Sequence, residues 1–69
     1  MERQPVTSSH IISIGYDETT QTLEVEFTNE KTFQYFNVPK TVYDNFINSE
    51  SKGRFFRLSI KSNFEFALM

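Results

Sequence analysis

The clearest alternation in the chain is "TLEVEFT", where Leu23, Val25 and Phe27 are apolar and Glu24 and Glu26 between them are charged. A period of two sends successive side chains to opposite faces of a strand, so this segment predicts a strand with one buried and one wet face. From His10 the same period places Ile12, Ile14 and Tyr16 on one face, with Ser13 and Gly15 on the other. The intervening "YDETTQT" supplies turn residues, and the Asp17 side chain can cap that turn. After "NEK", the run "TFQYF" predicts a third strand with Phe33 and Tyr35 inward and Phe36 opposite them. Connections this short suit an antiparallel meander. Residues 1–8 are polar and contain Pro5, and read as a flexible N-terminal tail ahead of a single domain over 9–69.

Past Val38-Pro39 the period changes from two to 3.6. Proline fixes φ and lacks only a donor that a first helical turn leaves unpaired, so Pro39 can open a helix. Val42, Tyr43, Phe46 and Ile47 form one apolar stripe of a helix spanning about 39–48. "NSESKG" ends it, and Ser49 or Ser51 can cap a second helix near 52–61 that turns Phe56 and Ile60 inward. The closing "NFEFALM" reads as a short strand or as coil. The expected fold is α+β: a three-stranded antiparallel β-meander followed by two short α-helices packed on one face. The inward strand residues, with Val42, Phe46, Phe56 and Ile60, make the expected core.

A chain of 69 residues with no cysteine and one histidine has neither a disulfide nor a thiolate metal site to hold it. Its stability must come from packing or self-association, and eight Phe and three Tyr supply the bulk. The first ten residues lack the apolar run of a signal peptide, and no stretch approaches a membrane span, so a cytoplasmic protein without membrane contact is expected. Catalysis has little to work with. Ser8, Ser9 and His10 read as a polar lead into the first strand, because nothing in their spacing orients a nucleophile against a base. Glu24 and Glu26 read as the solvent face of an alternating strand. Gly15 and Gly53 stand alone and form no phosphate loop. Neither a metal nor a cofactor is implied, and the chain reads as a non-enzyme.

The second helix carries more information. At about 100° per residue, Arg54, Arg57 and Lys61 fall within about a 60° arc, nearly opposite Phe56 and Ile60. Such a stripe is either a solvated helix face or a contact for phosphates, which it can attract although the net charge is −2. Phe36, out of phase with the inward rings, and Tyr16 are the candidate stacking residues of a single-strand binder.

Read from Ser8 to about Phe66, the chain resembles the KTSC domain family, a short module named after the C-terminal extension of some lysyl-tRNA synthetases. "SSHIISIGYD" is similar to the family's opening strand and Gly-Tyr-Asp turn, and "TLEVEF" to its second strand. The central aromatic-x-aromatic and following Val-Pro are matched by Phe33, Tyr35, Val38 and Pro39. Ser51, Gly53, Phe55, Phe56, Ile60 and Lys61 match the later Ser-x-Gly-x-aromatic-Phe and Ile-basic pieces. Phe33 stands where the family usually has tyrosine, and the glycine common before the third strand is absent from "NEKTF".

The resemblance implies an RNA-binding accessory module in a stand-alone, bacterial or phage form. The acidic balance favours instead a protein-binding module, such as a phage-type inhibitor or adaptor acting through a sheet edge or an exposed aromatic patch. RNA and a protein partner therefore both stay open. A meander also leaves sheet edges exposed, which a homodimer would bury.

Overall fold

Residues 2–69 are described by the structure, a computed structural model. Its centre is the strand that alternates most strictly. This is β3 (Thr22–Phe27), flanked by β2 (Ile11–Asp17) and β4 (Thr32–Tyr35), and all three run antiparallel. Leu23 lies opposite Tyr16 and Tyr35, and Val25 opposite Ile14 and Phe33, so one face of the sheet is continuous and apolar. The turns match their chemistry. Asp17 Oδ1 accepts from the Thr19 and Thr20 amides, and Asn29 Oδ1 accepts from the Lys31 amide. Glu30 adopts φ 68°, the left-handed conformation that favours glycine, in the turn where no glycine stands.

The sheet has five strands, not three. Residues Arg3–Pro5, within the expected flexible tail, form β1 and pair with β2; Phe66–Leu68 form β5 and pair with β4. The order β1-β2-β3-β4-β5 is antiparallel throughout. These additions alter the outer face. Arg3 and Gln34 both reach Glu24, at 3.4 and 3.3 Å, and Glu24 is only 7% exposed. The side chain expected to face solvent is therefore covered by polar neighbours that replace water's hydrogen bonds. Ser13 donates to Glu26 at 2.8 Å beside it.

A second correction concerns the start of β2. The register shifts between Ile11 and Ser13, where the strand carries one residue more than its partner. That bulge turns Ile11 inward at 1% exposure and leaves Ile12, expected in the core, 42% exposed.

Two helical segments cover the inner face. Helix α1 (Lys40–Ile47) follows Pro39 at its N-cap and buries Phe46 completely. Asn48 and Ser49 close it: the Asn48 amide and side chain both donate to the Asp44 carbonyl, and Ser49 Oγ donates to the Phe46 carbonyl. Helix α2 (Lys52–Phe55) starts at Ser51, which makes no side-chain cap hydrogen bond. Without a break it widens into a π-helical segment, Phe56–Ile60, where the Lys61 amide donates to the Phe56 carbonyl. Residues four apart share a face in this segment as in an α-helix, so Phe56 and Ile60 both turn to the sheet. Both are buried.

Phe56 meets Phe27 and Tyr35 edge-on, with centroids 5.1 and 5.4 Å apart, and tilts against Phe46 at 6.4 Å. Ile14, Leu23, Val25 and Ile60 complete the interior as expected, and Val38, at the corner before Pro39, joins them. Phe27, Phe33 and Val42 are half-buried against this core.

The bulge gives a direct test. Ile11→Ala should lower the unfolding free energy by about 2 to 5 kcal/mol, because it empties a packed site. Ile12→Ala should change it by no more than about 0.5 to 1 kcal/mol, as at other exposed positions. Urea denaturation of the two variants decides, and equal losses would refute the bulged pairing of β2 with β3.

Candidate functional site

The bulge that turns Ile11 inward also sets the path of the residues before it. The His10 carbonyl accepts from the Thr28 amide, which holds the lead into β2 against the end of β3. There it faces α2: a Cβ placed on Gly53 would lie 3.8 Å from the His10 ring. Between the two segments runs a groove of about 560 Å³. Buried Ile11 and Phe56 form its floor together with Phe27. Thr7, Ser8, Ser9 and His10 line one side.

The opposite side is cationic. Lys52, Arg54, Arg57 and Lys61 all line the groove, and the last three are exposed. Arg57 and Lys61, four apart, lie on one side of this segment, as Phe56 and Ile60 do on the side packed against the sheet. Among the described residues the ion pairs are Arg3–Glu24 and Lys40–Glu18, and none involves these four cations. Lys52 Nζ donates to the Ser49 carbonyl at 2.9 Å. Glu50 is the one acidic lining residue. Hydroxyls and an imidazole facing unpaired cations can accommodate an anion with several oxygens, since each wall offers donors.

The three cations of the expected stripe thus share one groove, and the structure adds to them a wall that sequence reasoning set aside. Ser8, Ser9 and His10 carried no motif. Their only signal was a cluster of polar, hydrogen-bonding residues directly before an apolar strand. Tyr16 and Phe36 do not join the groove. Tyr16 stacks on Tyr43, with centroids 4.7 Å apart and planes 8° from parallel, and its hydroxyl donates to the Val38 carbonyl. Its ring ties β2 to α1. Phe36 is half-buried where the chain leaves β4, and its amide donates to the Glu65 carbonyl.

A second, apolar pocket of about 480 Å³ adjoins the groove. Phe33, Tyr35 and Phe66 line it, and it shares Phe27, Phe56 and Lys61 with the groove. Among the described residues no three His, Cys, Asp or Glu side chains gather as metal ligands, and no helix is long and apolar enough to cross a membrane.

Comparison with known proteins agrees with this fold. The KTSC domain family matches residues 7–64, from the hydroxyl wall through both helical segments. This chain belongs to the KTSC domain family. The crystal structure of a KTSC domain protein from Yersinia pestis superposes with a TM-score of 0.96 at 46% identity, covering 99% of this chain and 96% of that one. A small protein of Tsukamurella paurometabola is 43% identical over 61 residues, which is 88% of this chain and 91% of that protein. A lysine–tRNA ligase of Trichormus variabilis is 41% identical over 58 residues, 84% of this KTSC chain but 10% of the enzyme. This chain therefore spans about a tenth of that ligase.

The Tyr16 clamp has a pH signature. Burial, followed by the nearby charges of Glu18, Asp44 and Asp17, raises the Tyr16 phenol above its ordinary value, and burial raises Tyr35 likewise. A raised pKa in the fold means that the neutral phenol is favoured there. Its contribution to stability is complete below the unfolded value of about 10 and is lost as pH rises through the folded one. Absorbance at 295 nm should show Tyr16 and Tyr35 ionising later in native protein than in urea. Tyr16→Phe should remove one late transition. It should also cost about 1 to 3 kcal/mol by leaving the Val38 carbonyl without its partner. Titration of Tyr16 at the unfolded value would refute the clamp.

Proposed function

We propose that this KTSC domain is a non-catalytic binding module that holds single-stranded RNA by its phosphates in the cationic groove. The observation that carries this reading is the gathering of Arg54, Arg57 and Lys61, with Lys52, on one wall, unpaired with carboxylates, in a chain of net charge −2. Charges spread for solubility alone would have no reason to concentrate where hydroxyls face them. A local cationic groove attracts a polyanion even when the molecule as a whole does not. The occurrence of a similar segment within enzymes named lysine–tRNA ligase supports an RNA over a purely protein partner.

A protein partner is favoured by a different feature. The outer edge of β5 is open among the described strands, and Phe66, Leu68 and Met69 beside it are all more than half exposed. A strand from another protein, or from a second copy in a homodimer, could pair there.

Salt dependence separates the two. Three phosphate contacts give a log-log slope of affinity against salt of about −2 for a single strand. Arg54→Ala combined with Arg57→Ala should reduce that slope to about −0.7, the value for one remaining contact. Affinity at low salt should fall about five- to thirtyfold if each exposed contact contributes about 0.5 to 1 kcal/mol. Fluorescence anisotropy with a short labelled oligoribonucleotide measures both. Absence of binding at low salt, or unchanged binding by the double variant, would make the stripe a solvated helix face and give the protein reading the lead.

A further inference from the structure

Most clusters in this molecule are already satisfied. On the outer face Arg3, Ser13, Glu24, Glu26 and Gln34 bond to one another, and the described residues contain no buried side-chain polar atom without a partner. Tyr16 is occupied by Tyr43 and by the Val38 carbonyl. What remains is the aromatic pocket, and its rings differ from the others in one respect.

The two face-to-face pairs, Tyr16–Tyr43 at 8° and Phe46–Phe55 at 16°, close their ring faces against each other. In the pocket no such pair forms. Phe27 meets Phe33 at 83°, and Phe66 is tilted by 55° to Phe33 and 34° to Tyr35. Phe66 is 56% exposed, although its register opposite Tyr35 puts it on the sheet's inner face. A planar ligand would therefore find an aromatic face that is not already stacked. At its rim the pocket offers Asn29, whose amide both donates and accepts, and the Ser62 hydroxyl.

The neighbourhood decides which planar ligand fits. Lys61 lines both the pocket and the cationic groove, and Phe27 and Phe56 form a shared floor. A strand whose phosphates lie along Arg54, Arg57 and Lys61 passes directly beside the rings. We propose that the pocket formed by Phe33, Tyr35 and Phe66 is a stacking subsite for one unpaired nucleobase of that same strand. The inference rests on the phosphate-groove reading and assigns the pocket beside it. An apolar peptide would fill the rings but leave the adjoining cations without a counterpart; a single-stranded nucleic acid engages both. Stacking on an aromatic face tolerates any base, since each has a π-face, so the subsite confers affinity for single strands more than for a sequence.

The test uses the intact chain and two labelled probes: an octaadenylate, and a strand of equal length and charge in which every base is absent. Phe66→Ala should weaken octaadenylate binding about five- to 150-fold. It should leave the salt slope near −2 and binding of the abasic strand unchanged. Arg54→Ala with Arg57→Ala should do the opposite, lowering the slope and weakening both probes. Phe66→Trp keeps a ring in place. It should retain affinity and give an indole emission that octaadenylate quenches and the abasic strand does not, which reports stacking even where the alanine variant folds poorly.

Equal loss for both probes in Phe66→Ala, or an indole unaffected by octaadenylate, overturns the base subsite while the groove stands. If neither probe binds the unmodified protein at low salt, the groove reading fails and the subsite with it. A protein that sediments as a dimer, and becomes a monomer in Phe66→Ala without change in octaadenylate binding, would assign the rings to a second copy.

Discussion

The contact of Phe56 with Phe27, Tyr35 and Phe46 is the constraint on which the rest depends. A chain of 69 residues without cysteine has little area to bury, and this ring joins the sheet to both helical segments at one point. Phe56 and Ile60, four apart, both face the sheet from the π-helical segment. On the other side of the segment the same spacing of four sets Arg57 and Lys61 along the groove. Core packing and cation placement are two faces of one helical segment.

A similar economy governs the sheet. The bulge at Ile11 and Ile12 alters which isoleucine is buried, and it directs the preceding residues against α2 and not away from it. Polar residues before the strand become a wall of the groove. On the opposite face β1 covers Glu24 with Arg3, while Gln34 donates from the other side. The salt bridge adds little stability by itself, but a covered carboxylate without those donors would be costly. The short edge strand is thus tied to the interior by the charge it helps to shield. The other edge, β5, has no such cover, and its aromatic side chain stays accessible.

Much of the fold was legible in the sequence because its signals are strong where they occur. Strict alternation from Leu23 to Phe27 identified the central strand, and Asp17 its turn. The change of period at Pro39 located the first helix to within a residue at each end. The failures have specific causes. Ile11 and Ile12 are chemically identical, so only the pairing partner distinguishes them, and a bulge erases the period that would have done so. Three-residue strands such as Arg3–Pro5 carry no measurable period at all. Phe36 and Tyr16 were singled out for the strand phase of one and the ring of the other. Phase does not reveal that Tyr16 has a second tyrosine lying against it.

The sequence by itself determined the α+β class, the inward face of β3 and β4, the helical stripe of Phe46 and the clustering of Arg54, Arg57 and Lys61 on one side of a helix. These are local properties, set by side-chain direction within a single element. Only the tertiary structure decided that β1 and β5 extend the sheet, that Ser8, Ser9 and His10 face those cations, and that Phe33, Tyr35 and Phe66 form a pocket beside Lys61. Each of these joins residues far apart in the chain. Which distant segments meet is settled by competition for unpaired strand edges and for the remaining apolar area around Phe56, and no window of sequence contains both competitors.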